Sequence, residues 1–433
     1  MERIPRLQKK LLKTPGRNRC RRGRASRHRT ASVLTLLCYL LAGVLNGCAT
    51  NYNARKVEAT PILIAQQEIP EPELLDVGIV VFESAEISAE DAEEKGTNNE
   101  IRQSETHFIP CHLRNTLQRS AQWGAVRVLP EESPSYDVLV TGEILESDGQ
   151  ELVLKIKATD ASGRLWYEET YRQEATGTSY KDIVPWEQDA YQDLYNTIAN
   201  DLAAYRRKLP PGSVDRIRSI SKLKFAREFA PEAFADYLVE NEAQEMELNR
   251  LPADDDPQMA RLMAIRERDH MYIDTLNQYY DGFYAGMWPA YENWRKLDLT
   301  ERLAREEIEN SVLLRKAGGA LLVALAILLE ISNSGAGNLL QGMLLVSGGQ
   351  VFMSGINLSK QAEMHSAAIE ELSESFGADM EPVNLELKGQ TYELTGSAQE
   401  QYRQWRELLR QIYLRETGFG PRTDSGPDVT PAD

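Results

Sequence analysis

Cysteine, histidine and long apolar runs are all in short supply. Cys20, Cys38, Cys48 and Cys111 are the four Cys in 433 residues. That number excludes a disulfide-stapled scaffold, and Cys111 is left without an internal partner if export removes Cys20 and Cys38 and Cys48 is engaged elsewhere. The body must then be held by packing, with Cys111 as a small apolar residue on a helix face. Five His leave little room for a metal centre. In HFIPCH, His107, Cys111 and His112 are interrupted by Pro110 and lack a fourth ligand, and the acids of PADDDP lack the alternating spacing and Gly of a calcium loop. HExxH, CxxC, Walker, GxSxG and GxGxxG patterns are absent, and no cofactor is implied. A net positive charge is confined to the N-terminus: twelve of the 49 Lys and Arg precede Cys48 with a single acid, whereas 65 of the 66 Asp and Glu follow it, leaving the remainder at a net −28. Such a body repels nucleic acid, so no nucleic-acid partner is expected and the basic N-terminus reads as an address.

What is present begins with that address. A basic stretch, Arg3 to Arg29, leads into ASVLTLLCYLLAGVL at 31–45, too short for a comfortable transmembrane helix, and then into small residues. The order is that of a secretory signal, preferred over an uncleaved anchor because of the short apolar run. Leu45-Asn46-Gly47-Cys48 resembles the lipobox of bacterial lipoproteins, with Asn46 departing from the usual Ala, Ser or Thr. The resemblance implies a diacylglyceryl group and a further acyl chain such as palmitate on Cys48, the new N-terminus. Each buried methylene contributes about 0.8 kcal/mol, so two or three chains anchor durably. Ala49 stands where an Asp commonly retains such proteins at the inner membrane, which implies the outer membrane and a body facing the periplasm.

A Pro-bearing tether at 48–75 precedes a first domain at 76–208. DVGIVVF suits a buried strand, and an acidic insert at 84–100 reads as a solvated loop. The spacing of Ile109, Leu113, Leu117 and Ala121 predicts a helix opening near Pro110 and ending at Trp123-Gly124. Strands follow in AVRVL, YDVLVTGEILES, ELVLKIKATD and LWYEETY, with a turn at Asp148-Gly149. Leu152, Leu154 and Ile156 share one face and Lys155 and Lys157 the other, which predicts a sheet with one wet side. A helix from Trp186 to Tyr205 closes the unit. This β-α-β-β-β-β-α order resembles the small periplasmic domain of lipoproteins that build the curli secretion pore or activate penicillin-binding proteins.

Residues 213–316 read as charged helices, with Asp256-Pro257 as N-cap and first-turn Pro and Pro289 as a bend or an end. Tyr280, Tyr284, Trp288 and Tyr291 lie close to one stripe, either an interface inside the protein, which helical spacing favours, or a face for a partner or glycan. From 317 to 359 the only charge is Glu330. AGGALLVALAILL is too short to span a bilayer, and Gly335, Gly342, Gly348, Gly349 and Gly355 suit close helix packing. We read a helical hairpin that is buried or oligomer-forming in preference to bilayer-inserted, because a strongly inserting helix would arrest export.

EMHSAAIEELSESFG reads as a helix, VNLELKGQTYELTG as a hairpin and SAQEQYRQWRELLRQIY as an amphipathic helix; the run at 360–418, through GQTYELTGSAQ, resembles the core of a BON domain without its closing strand. A tail follows at 419–433. FAPEAFADYL, RLPADDDPQMARLMAIRERD and YRQWRELL make the whole chain similar to uncharacterised lipoproteins of proteobacteria. The expected class is α+β: a small sheet-plus-helices domain, a mainly α-helical region with a Gly-rich apolar helical hairpin, and an αββα module. The expected role is a non-enzymatic, lipid-anchored scaffold or assembly factor of the cell envelope that self-associates or binds envelope proteins. The alternative is a lipoprotein enzyme acting on peptidoglycan or another envelope glycan, since 65 carboxylates allow hidden acid pairs.

Overall fold

Alternating apolar residues in four consecutive runs build the sheet that positions everything else. The computed structural model describes residues 60–85, 99–176, 179–180, 188–330, 364–374, 376, 382–387 and 390–417, with side chains omitted at 304–330 and 384–391. All of them belong to one compact unit, Thr60–Asp433. The central strand, β1 (Val77–Val80), runs parallel to β3 (Val126–Leu129) and β4 (Val138–Ser147). From β4 the chain meanders antiparallel through β5 (Glu151–Asp160) to β6 (Leu165–Glu174), giving the order β3-β1-β4-β5-β6, with the short β2 (Glu83–Ser84) alongside β4. The class is mixed α+β, and the order in the first domain is the expected one with the two-residue β2 added between β1 and the first helix. Leu152, Leu154 and Ile156 are buried while Lys157 is exposed, so the sheet has the one wet side that its alternation predicts.

Helix α1 (Asn99–Arg119) starts eleven residues earlier than its apolar spacing predicts. Its first turns are polar, yet Arg102, Ser104, Glu105 and Thr106 are buried because the sheet, α2 (Gln192–Arg207) and the long helix that starts at Pro257 surround it. Pro110 therefore sits inside the helix and not at its start. A proline ring there deprives the carbonyl four residues earlier of its N–H donor. That carbonyl, on Thr106, is taken instead by the Phe82 N–H at 3.0 Å. The stretch expected to be a tether is fastened from Thr60 onward, where Asp193 and Asn200 on α2 accept the Thr60 and Leu63 N–H groups at 2.8 Å each.

After α3 (Ser213–Phe229), the one-turn α4 (Pro231–Phe234) and the hairpin β7–β8 (Leu238–Glu240, Met246–Leu248), the chain enters α5 (Pro257–Glu330). Asp256 caps it as expected, its Oδ1 accepting the Gln258 and Met259 N–H groups at 2.8 and 3.2 Å. At 74 residues the helix is roughly 110 Å long. Pro289, expected to bend or end the helix, does not end it. Both Pro289 and Ala285, whose carbonyl it orphans, are exposed, so water satisfies the carbonyl while buried Tyr284, Met287, Trp288 and Tyr291 hold both sides in place. A helical stretch at 364–374, the hairpin β9–β10 (Val383–Leu387, Gln390–Leu394) and α6 (Ala398–Thr417) complete the described elements. Helix α6 opens with a capping box between Ser397 and Glu400 and lies on α5, where Trp405 stacks on Tyr272 at 5.1 Å. Among the described residues, no helix is long and apolar enough to cross a membrane.

Candidate functional site

The densest gathering of polar groups lies where α5 crosses the β4–β5 turn and the start of α2. Asp189, three residues before α2 becomes helical, turns its carboxylate to the Tyr191 N–H at 2.8 Å and to both terminal nitrogens of Arg295 on α5, at 3.1 and 2.5 Å. Both partners are almost wholly buried. Burial alone would favour a neutral acid, but the Arg295 guanidinium outweighs it and holds the carboxyl below the usual Asp range. The guanidinium also sits over the rings of Tyr291 and Tyr191, at 4.1 and 5.3 Å.

One turn along α5, the hairpin between β4 and β5 is latched to the helix. Asp298 Oδ2 accepts the Gly149 N–H at 2.9 Å and Arg302 Nε at 2.9 Å, while Arg302 also approaches Asp148 at 3.3 Å. Tyr191 and Tyr180 donate their hydroxyls to the Asp148 and Gly149 carbonyls at 2.7 Å each. The turn must be glycine for a reason of space: a Cβ on Gly149 would stand 2.1 Å from the Arg295 carbonyl oxygen and 2.7 Å from the Leu299 nitrogen. Burial raises the Asp298 pKa to about 6, with Arg302 and the Gly149 N–H pulling it back.

A second layer connects α1 to the same helix. Glu105, fully buried, accepts hydroxyls from Ser147 at 2.5 Å and Tyr291 at 2.6 Å, with Arg102 at 3.7 Å, and burial pushes its pKa up. His112 bonds Tyr284 through Nδ1 at 2.6 Å and the Gln192 side-chain oxygen through Nε2 at 2.9 Å. Because the Gln192 amide nitrogen donates to Asn196 and Thr116, its oxygen accepts, which makes His112 a neutral ring protonated on Nε2. Burial lowers its pKa to about 4. Cys111, beside it, is a buried free thiol whose pKa burial raises to about 12, far from a thiolate nucleophile. His107 turns away to pack on Phe376 at 4.8 Å. Among the described residues no three His, Cys, Asp or Glu are grouped to hold a metal ion.

Chemically, these charges and hydroxyls neutralise one another away from solvent and work as a joint. The four aromatic residues at helical spacing belong to it. Tyr280, Tyr284, Trp288 and Tyr291 are all at most 4% exposed, so the stripe offered as a possible partner face is turned inward, against α1 and the sheet. An exposed aromatic face would cost the hydration of several hundred Å² of ring surface; α1, itself partly polar, covers it instead. Arg295, Asp189, Glu105 and Asp298 had no sequence signal, being ordinary charged residues in charged segments. Leu45, Asn46, Gly47 and Cys48, and Gly335, Gly342, Gly348, Gly349 and Gly355, lie outside the described residues.

Among the described residues, two depressions and the two edges of the main sheet reach the surface. A polar hollow of about 280 Å³ holds the pairs Arg127–Asp274 and Arg114–Asp281 between α1, β3 and α5. A groove of about 570 Å³ runs between Pro72-Glu73 and the α2–α3 link. On the sheet, the outer edge of β3 is covered: the Asn277 side-chain amide accepts the Val128 N–H at 2.8 Å and donates to its carbonyl at 2.9 Å, as a neighbouring strand would. The other edge strand, β6, ends the sheet.

No family model matches the sequence, and no curated protein does. Among solved structures the chain is similar to a dodecameric PelC variant from Paraburkholderia phytofirmans, at 10% identity over 34% of this chain and 94% of that one, with a TM-score of 0.17.

Proposed function

We propose that the chain is a lipid-anchored cell-envelope protein, a non-enzymatic scaffold or assembly factor facing the periplasm from the outer membrane and attached through lipid on Cys48. The observation that carries this reading is the 74-residue helix α5, whose middle is clamped into the body by Arg295, Asp298 and Tyr291 and which then runs on to Glu330. A clamp of that kind holds a long element at a set angle, which is what a scaffold requires of its frame. The lipobox supplies the other half. Twelve positions lead from Cys48 to Thr60, the first described residue and one hydrogen-bonded to the body; a span of that length reaches about 40 Å at most. The strongly acidic remainder favours protein partners over anionic surfaces.

The reading is tested by feeding labelled fatty acid to cells making the wild type or Cys48→Ser. Label and membrane partitioning are expected in the first and not in the second; identical partitioning would refute the anchor. Release of soluble fragments from purified sacculi by the protein would refute the non-enzymatic role in favour of a glycan- or peptidoglycan-cleaving lipoprotein.

A further inference from the structure

We propose that the outer edge of β6 is the surface through which two copies of this chain pair, antiparallel and centred on Thr170, joining their sheets into one. The inference rests on the scaffold reading and names its partner: a second copy.

Strand β6 is ten residues long and, among the described residues, ends the sheet, with β5 on one side and α2 packed on one face. Leu165, Glu168, Glu169, Thr170, Arg172 and Glu174 are exposed along it. A long open edge of this kind presents unpaired backbone donors and acceptors to any strand that fits. Proteins that keep such an edge single place charges on it that repel every incoming strand, and the test is whether those on β6 do so for a copy of itself.

Two identical edge strands that extend a sheet are related by a two-fold axis through one residue, and each residue then faces one on the same side of the sheet. Centred on Glu169, the pairing sets Glu169 against Glu169 of the partner subunit. Centred on Tyr171, it sets Glu168 against Glu174 of the partner subunit. Centring on Glu168 or Arg172 opposes that residue to its own copy. Centring on Thr170 puts Glu168 opposite Arg172 of the partner subunit and Arg172 opposite Glu168 of the partner subunit, with Thr170 on the axis and no like charges face to face. Of the five registers it is the self-complementary one, and like charges directly opposite are destabilising.

The neighbouring strand continues the pattern. Lys155 on β5 pairs with Glu168 at 2.7 Å, and Glu151 on β5 pairs with Arg172. Across the joined sheets the wet face would therefore alternate Lys155, Glu168, Arg172 and Glu151, two from each copy. The opposite edge of the sheet is not available for this, because Asn277 already occupies the Val128 backbone groups.

The experiment uses the full lipidated chain in detergent, with mass measured by light scattering on a sizing column. Arg172→Glu alone and Glu168→Arg alone each set like charges opposite one another across the axis, and the mass is expected to fall to half in each. Mixing the two variants restores both opposite-charge pairs, and the mass is expected to return. Thr170→Cys is expected to cross-link on mild oxidation, since facing Cα atoms lie about 4.5–5.5 Å apart in such a pair, within disulfide range. Glu174→Cys, roughly 27 Å from its own copy in this register, is expected not to. Circular dichroism confirms that each variant is folded. A monomeric wild type overturns the proposal, and so do folded single variants whose mixture stays monomeric. Charge variants that keep the wild-type mass, with Thr170→Cys not cross-linking, overturn this edge while leaving a self-associating scaffold standing on another interface.

Discussion

Arg295→Met is the perturbation that asks most directly whether the polar joint holds the long helix in place. The substitution removes both hydrogen bonds to Asp189 and the contact with the Tyr291 ring, and leaves a buried carboxylate with only the Tyr191 N–H. Breaking one side of a buried pair costs about 3–5 kcal/mol, because the remaining charge has been stripped of water and of its partner. Met keeps most of the apolar volume, so the loss reports the charge and not a cavity. Asp189→Asn is expected to cost a similar amount by stranding the guanidinium. The double variant removes both charges and should recover about 2–3 kcal/mol relative to the sum of the two. Urea unfolding of the Cys48→Ser chain, followed by circular dichroism, measures all three. The acid limb adds a sign. The folded Asp189 pKa is depressed, so its contribution is present above the unfolded value near 3.8 and is lost as pH falls through the lower folded value. Arg295→Met should abolish that loss. Single-variant costs below about 1 kcal/mol, or strictly additive ones, would refute the idea that this pair is a joint.

Two further outcomes follow from the same region. Gly149→Ala should destabilise by about 3 kcal/mol or more, because its Cβ would collide with backbone atoms of α5 that cannot rotate away; equal urea midpoints would count against the latch. Asp298 should act opposite to Asp189: its folded pKa is raised to about 6, so the contribution is fully present below the unfolded value near 3.8 and is lost as pH rises through 6. Asp298→Asn should remove that decline between about pH 4 and 6 while keeping an acceptor for the Gly149 N–H, and an unchanged pH profile would show that the carboxyl is solvated.

Where the sequence was legible, one periodicity had one dominant neighbour. β5 alternates because one face meets the core and the other meets water, and its residues declare it. The Asp256-Pro257 cap and the β9–β10 hairpin are equally local. Helix α1 was legible only in its second half, since Glu105 and Arg102 look like surface residues until α5 supplies the lid that buries them. Both prolines misled for one reason: the cost of a missing N–H depends on who else serves the abandoned carbonyl, and Phe82 in one case and water in the other lie outside the helix.

By itself, then, the sequence determined the chain's acidic balance, the order of its main strands and helices and the Asp256-Pro257 cap that starts its longest helix, properties legible along the chain without knowledge of what packs on what. Only the tertiary structure decided that the aromatic stripe of α5 faces inward, that Arg295 meets Asp189 across 106 positions of chain, and that β3 is covered while β6 ends the sheet. The physical reason is that burial and charge pairing are properties of two surfaces brought together, and one surface alone does not specify its mate.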